Sequence, residues 1–233
     1  MSFLGSPALA APQADASNPW FSWHYIQQNA DQILTDTRFH FITTIEAVAL
    51  AMIVAIPLAV LCYWVRPLAA PILALSGVLY TIPSLALFAF LAPFVGVGVT
   101  TILIGLVIYA LLLVIQNTLT GLQQVPEDVR DAARGMGYGR LGMLWHVELP
   151  LALPAIITGI RLATVSTVAL LTVGVIVGQG GLGQLISSGL HTNLNRAAIA
   201  TGTVLCVALG LALDVVIAGF GRLITPWARR RAS

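Results

Sequence analysis

Gly178-Gln179-Gly180-Gly181-Leu182-Gly183 has the G-x-G-x-x-G spacing with which backbone amides cradle a dinucleotide pyrophosphate. Its context rejects that chemistry, because no strand precedes it and neither a later βαβ pattern nor a ribose-binding acid is available. The chain has no G-x-x-x-x-G-K-[ST] and no lysine, so it is not itself a nucleotide-hydrolysing subunit. No Ser/His/Asp set, no metal-spaced His or Cys cluster and no paired carboxylates occur in one segment. His24, His40, His146 and His191 are dispersed and read as interfacial rather than catalytic. Three charges do lie within apolar stretches: Glu46, Arg161 and Asp214. Arg161 falls about 15 Å into its helix, counted from Pro150 at 1.5 Å per residue, where a charge must face protein or water. Asp214 is its better partner. Protonation or solvation of either acid in a cavity stays open, and a proton relay lacks a chain of carboxylates.

These residues sit in a chain of 233 residues, 58% hydrophobic and 9% charged, with a mean hydropathy of +0.92. Soluble domains carry roughly 25% charged residues, so this is an all-α polytopic membrane protein with one membrane domain. The net charge is only +2, but all 11 basic residues are arginine and their placement is uneven. Arg66, Arg130, Arg134, Arg140, Arg222 and Arg229 to Arg231 fall in alternate connections and the C-terminal tail, while Arg38 and Arg196 fall on the other side. The positive-inside rule then places the N-terminus outside and the C-terminus in the cytoplasm. The terminal arginine run reads as an anchor at the lipid surface, not a nucleic-acid footprint. Cys62 and Cys206 suggest neither a disulfide nor a metal site.

Hydropathy predicts five spans, near residues 41–65, 68–91, 100–119, 151–177 and 197–220. Residues 1–40 form an external tail and an interfacial helix, 41–225 the membrane domain with a cytoplasmic loop at 120–150, and 226–233 a basic tail. Ala8-Leu9-Ala10 imitates a signal-peptidase site, but a positive n-region is missing and no cleaved signal is expected. Residues 20–39 alternate tryptophan and isoleucine with polar residues, as in a helix lying at headgroup depth. Pro57 and Pro83 are expected to kink their spans, Pro93 to stop the second, and Gly96 and Gly98 to form an outer turn.

The 120–150 loop is polar yet patterned. Asp131, Ala132 and Ala133 precede glycines at 135, 137 and 139, and the segment from Leu141 to Leu149 ends at Pro150, where a new helix can begin. Asp131-Ala132-Ala133, three residues, Gly137, nine residues, Val147, one residue, Leu149-Pro150 resembles the EAA loop of ATP-binding-cassette (ABC) importer permeases. Asp131 for glutamate and Val147 for isoleucine are the departures, and both keep charge sign or apolar character. The glycine run, continued through Gln184, Ile186, Gly189 and Leu190, and the stretch Leu153-Pro154 through Ile160-Arg161 to Ala163 resemble permeases of the glycine betaine and choline family.

The resemblance implies a MetI-like fold and import of osmoprotectants across the plasma membrane of a bacterium. It implies ATPase coupling through Asp131, Ala132, Ala133, Gly137, Val147, Leu149 and Pro150. It also implies an external gate at Gly178, Gly180, Gly181 and Gly183. The expected partners are two copies of an ABC ATPase, which bind the ATP and Mg, a second permease copy or a homologous one, and an extracytoplasmic binding protein. This chain itself binds no cofactor or metal in that reading. A permease for methionine or phosphonate, a proton-coupled transporter using Glu46 and Asp214, and a membrane scaffold are the competing readings. Tyr80, Phe88 and Phe90 are too sparse for a cation cage, so selectivity is expected in the binding protein, above a permissive path near Tyr80, Arg161 and Asp214.

Overall fold

The computed structural model describes residues 18–227, and all regular structure among them is helical. The Ala8-Leu9-Ala10 stretch and the Arg229 to Arg231 run lie outside the described residues. A short α1 (Trp23–Gln28) breaks at Asn29 and gives way to α2 (Ala30–Trp64). The expected boundary at residue 40 therefore falls inside one helix of 35 residues. Residues 30–40 contain neither glycine nor proline, so nothing local stops the helix, and its polar residues ride outward with it. At 1.5 Å per residue α2 is about 50 Å long, well beyond the roughly 30 Å hydrocarbon core.

The second span departs most from expectation. It is two helices, α3 (Arg66–Thr81) and α4 (Ser84–Val95), bent by 98°. Pro83 has no N–H to donate and forces Ile82 out of the helical region, and both residues are extended at ψ 128 and 131. Pro93 does not stop α4 but lies inside it. Gly96, at φ +91, ends the helix instead. Then α5 (Val99–Gln123) leads to α6 (Glu127–Gly135) and α7 (Arg140–Met143). A π turn (Leu144–Glu148) joins α7 to α8 (Leu149–Leu171), which tightens into a 3-10 stretch (Thr172–Val177). The chain closes with α9 (Leu182–His191) and α10 (Arg196–Ile224). Among the described residues, four helical segments are long and apolar enough to cross a membrane, or five with the bent pair as one.

Pro150 stands in the first turn of α8, as expected. The π turn before it runs into α8 without a break, with the Leu149 N–H bonded to the Leu144 carbonyl. Small residues set the packing. Ala47, Ala51, Ala55 and Ala59 recur every fourth residue on α2 and are all fully buried, Ala47 near Phe88 and Leu106 and the other three against Ala110, Val114 and Ile115 of α5. A Cβ on Gly159 of α8 would stand 2.7 Å from the Asn117 Cβ of α5, and one on Gly121 would stand 2.8 Å from the Ala155 Cβ. Close backbone approach of this kind drives association in lipid, where burying apolar surface gains little.

Candidate functional site: coupling loop, charged groove and glycine turn

The loop is built on α6. Glu127 and Asp128 occupy its first turn and Arg134 its last, as the helix dipole favours. Asp131 is exposed and pairs with Arg134 at 2.6 Å, while Arg134 also reaches Glu127 at 3.2 Å. Of the motif alanines, Ala133 is buried and Ala132 is exposed. The helix ends in a Schellman motif: the Tyr138 N–H bonds the Ala133 carbonyl and the Gly137 N–H bonds the Arg134 carbonyl, with Gly137 at φ +85. Space around a Gly137 Cβ is open, so the dihedral angle is what calls for glycine.

A half-buried chain of hydrogen bonds that the sequence did not reveal ties this loop to the membrane helices. Arg130 Nη1 donates to the Tyr63 hydroxyl at 2.9 Å, and that hydroxyl donates to Glu148 Oε1 at 2.6 Å. Arg130 Nη2 also donates to the Val125 carbonyl at 2.6 Å. Arg140 lies 4.7 Å over the Trp64 ring and pins α7 to the end of α2. The one available signal was Glu148, an acid set between the apolar Val147 and Leu149. Val147 and Pro150 face another cavity, shared with Gly121, Pro154 and Trp227, while Leu149 packs on the cluster around Leu122 and Leu144. Met136, Leu141 and Trp145 leave apolar surface exposed on the loop.

Within the membrane helices, Arg161 meets Asp214 as expected. Nε donates to Oδ1 at 2.8 Å and Nη2 to Oδ2 at 2.7 Å, a fork that occupies both carboxylate oxygens. The pair lines a cavity of about 540 Å³ between α8 and α10, otherwise walled by residues such as Leu162, Val165, Val207 and Leu211. Glu46 is exposed on α2 and makes no ion pair among the described residues.

The glycine run makes a tight reversal. Gly178 at φ +100 and Gly181 at φ +53 turn the chain, and Gly180 and Gly183 lie against the 3-10 stretch. A Cβ on Gly183 would stand 2.2 Å from the Thr172 carbonyl oxygen, and one on Gly180 would stand 2.8 Å from the Val175 nitrogen. His40, expected at an interface, is instead fully buried here. Its Nδ1 accepts from the Leu182 N–H at 3.2 Å and its Nε2 lies 3.0 Å from the Val168 carbonyl, so the neutral ring protonated on Nε2 satisfies both. Gly181 leaves the ring room, since a Cβ there would stand 2.9 Å from His40 Nδ1. Tyr80 lies apart from Phe88 and Phe90, the aromatics grouped with it in the sequence. Phe88 packs on Gly105 and Phe90 against Phe94, and the partner of Tyr80 is Tyr109 of α5.

Residues 36–230 match the family of binding-protein-dependent transport system inner membrane components. The chain belongs to this family. It is a multi-pass inner membrane permease, and the similarity to individual relatives spans nearly its whole length. It is 32% identical over 209 residues to the glycine betaine/carnitine/choline transport system permease protein OpuCD of Bacillus subtilis, covering 90% of this chain and 91% of that one. It is 35% identical over 208 residues to the osmoprotectant import permease protein OsmW of Salmonella typhimurium, covering 87% and 96%. It is 35% identical over 209 residues to the carnitine transport permease protein OpuCB of Listeria monocytogenes, covering 89% and 95%. The permease also superposes on a chain of the inward-facing MetNI methionine ABC transporter with a TM-score of 0.76 at 22% identity, covering 88% of this chain and 100% of that one, which shows the MetI-like fold.

Proposed function

We propose that this chain is the membrane-spanning subunit of an ABC importer for quaternary ammonium osmoprotectants, the class of glycine betaine, choline and carnitine. The observation that carries the reading is its near full-length similarity to three permeases, two named for glycine betaine, carnitine or choline and one for osmoprotectants. Two ATPase subunits supply the power, holding ATP and Mg, and dock on the cytoplasmic loop from α6 to the π turn. The exposed Met136, Leu141 and Trp145 suit such a docking face. Asp131, Ala132, Ala133 and Gly137 shape the loop, and Val147, Leu149 and Pro150 carry its motion into α8. A second copy or a homologous permease completes the path, and an extracytoplasmic binding protein delivers cargo to the side bearing the glycine turn at Gly178, Gly180, Gly181 and Gly183. The N-terminus is outside and the C-terminus inside.

Transport then consists of alternating two packings of the helices around the Arg161–Asp214 groove, with ATP binding in the partner favouring one of them. Because Asp214 is engaged through both oxygens, it is poorly suited to shuttle protons, which disfavours the proton-coupled alternative. The test is uptake by the complete transporter in proteoliposomes, with ATP inside and binding protein outside. Labelled choline, glycine betaine or carnitine should accumulate in an ATP-dependent manner. Accumulation of methionine or a phosphonate in their place would overturn the substrate class, and uptake that survives ATP removal but follows a proton gradient would overturn the mechanism.

A further inference from the structure

We propose that the break between α3 and α4 is a transit site for the quaternary ammonium head of the cargo, with Tyr80 as its aromatic face. The proposal rests on the substrate class given above and deepens it. A cavity of about 400 Å³ opens where α3 ends, lined by Tyr80, Ile82 and Ser84 at the break, Tyr109 on α5, and Ser166 and Ala169 on α8.

A quaternary ammonium ion has no N–H to donate, so its charge is recognised by π faces and carbonyl dipoles rather than by hydrogen-bond acceptors in fixed positions. The cavity offers both. Its lining contains no carboxylate. At the end of α3 the Val78 carbonyl accepts from the Thr81 hydroxyl and the Leu79 carbonyl from the Ile82 N–H, which leaves Tyr80 and Thr81, both in the lining, to bring the negative end of the helix dipole to it. Tyr80 is 37% exposed and supplies the reachable ring, whereas Tyr109 is 4% exposed and acts as a positioning residue. The two rings meet edge to face at 5.8 Å with planes 75° apart, and the Tyr109 hydroxyl donates to the Ile82 carbonyl, so one side chain holds both the ring and the break.

The place is also right for transit. Ala169 lines this cavity and the Arg161–Asp214 groove alike, so the two adjoin, and Ala169 stands about 12 Å along α8 from Arg161 at 1.5 Å per residue. Weak binding without a full opposing charge lets a cation enter and leave, as conduction requires.

The test uses the whole permease in nanodiscs and the complete transporter in proteoliposomes. Saturation-transfer NMR without binding protein compares choline with its uncharged carbon isostere, 3,3-dimethylbutan-1-ol, on wild type, Tyr80→Phe, Tyr80→Trp and Tyr80→Leu. Choline should give the stronger signal on wild type and on both aromatic variants, and lose roughly fivefold on Tyr80→Leu. Uptake at saturating binding protein should drop for Tyr80→Leu in maximal rate. Equal signals from choline and the isostere, or wild-type binding and uptake in Tyr80→Leu, would overturn the site while leaving the importer assignment intact. Should Tyr80→Leu fail to assemble, loss of the choline preference in either aromatic variant overturns the site. Choline binding that depends on Tyr80, in a transporter that imports no quaternary ammonium compound, would uphold the site and overturn the substrate reading.

Discussion

Arg161 and Asp214 join α8 to α10 through two parallel charge-assisted hydrogen bonds at 2.8 and 2.7 Å, beside a cavity walled mainly by apolar residues. Removing one partner strands the other charge among those residues, whereas reversing the pair keeps the fork. Asp214→Ala should therefore lower uptake roughly tenfold, and the Arg161→Asp/Asp214→Arg double variant should recover part of it, the coupling expected of residues in direct contact. Equal uptake in Asp214→Ala and wild type would show that the pair has no part in transport.

At Gly137 the requirement is a left-handed backbone, with no neighbour crowding the Cα. An L-residue there loses about 1–2 kcal/mol, less for asparagine than for a β-branched residue. Substrate-stimulated ATP hydrolysis of the reconstituted complex should fall in the order Gly137→Asn, Gly137→Ala, Gly137→Val while membrane insertion stays normal. Wild-type coupling in Gly137→Val would make the loop a mere connector.

The glycine turn contrasts two kinds of glycine. Gly178→Ala meets open space and suffers only from its positive φ, roughly 1–2 kcal/mol. Gly183→Ala drives a methyl to within 2.2 Å of a backbone carbonyl that cannot step aside, so thermal unfolding in detergent should drop further for Gly183→Ala than for Gly178→Ala. The opposite ranking would mean that the turn is loose in the membrane.

His40 holds the same turn to α2 and α8. Replacing it by leucine leaves the Leu182 N–H and the Val168 carbonyl without these bonds, at about 1–3 kcal/mol for a buried unsatisfied group. His40→Leu should show faster hydrogen exchange across residues 178–185 before any global loss of helix. Unchanged exchange there would show that the ring does not hold the turn.

Topology can be read with cysteines at exposed positions, in a background where Cys62→Ser and Cys206→Ser remove the native thiols. Thr192→Cys should react with an impermeant thiol reagent from outside and Met136→Cys from inside, given that both residues are exposed. The reverse pattern would invert the orientation drawn from the arginines.

The amino-acid order alone was enough for the features that depend on local composition. Long apolar runs imply helices across a membrane whichever way they later pack, and the spacing from Asp131 to Pro150 marks the polar loop between α5 and α8, because a short helix, a left-handed glycine and a first-turn proline act within a few residues of themselves. The Arg161–Asp214 pair was legible too, since only two acids share the apolar stretches with that arginine.

What tertiary structure decided is how residues far apart in sequence come together. Tyr63 and Glu148 are 85 residues apart, His40 and Leu182 142, and each pair meets only because alanines on α2 and glycines on α5 and α8 let the helices approach closely. The same holds for Tyr80, whose partner Tyr109 sits on another helix. Pro83 parts its span by 98°, and there the Tyr109 hydroxyl of α5 donates to the Ile82 carbonyl. The proline frees the backbone groups, and the packed bundle supplies what they bond to.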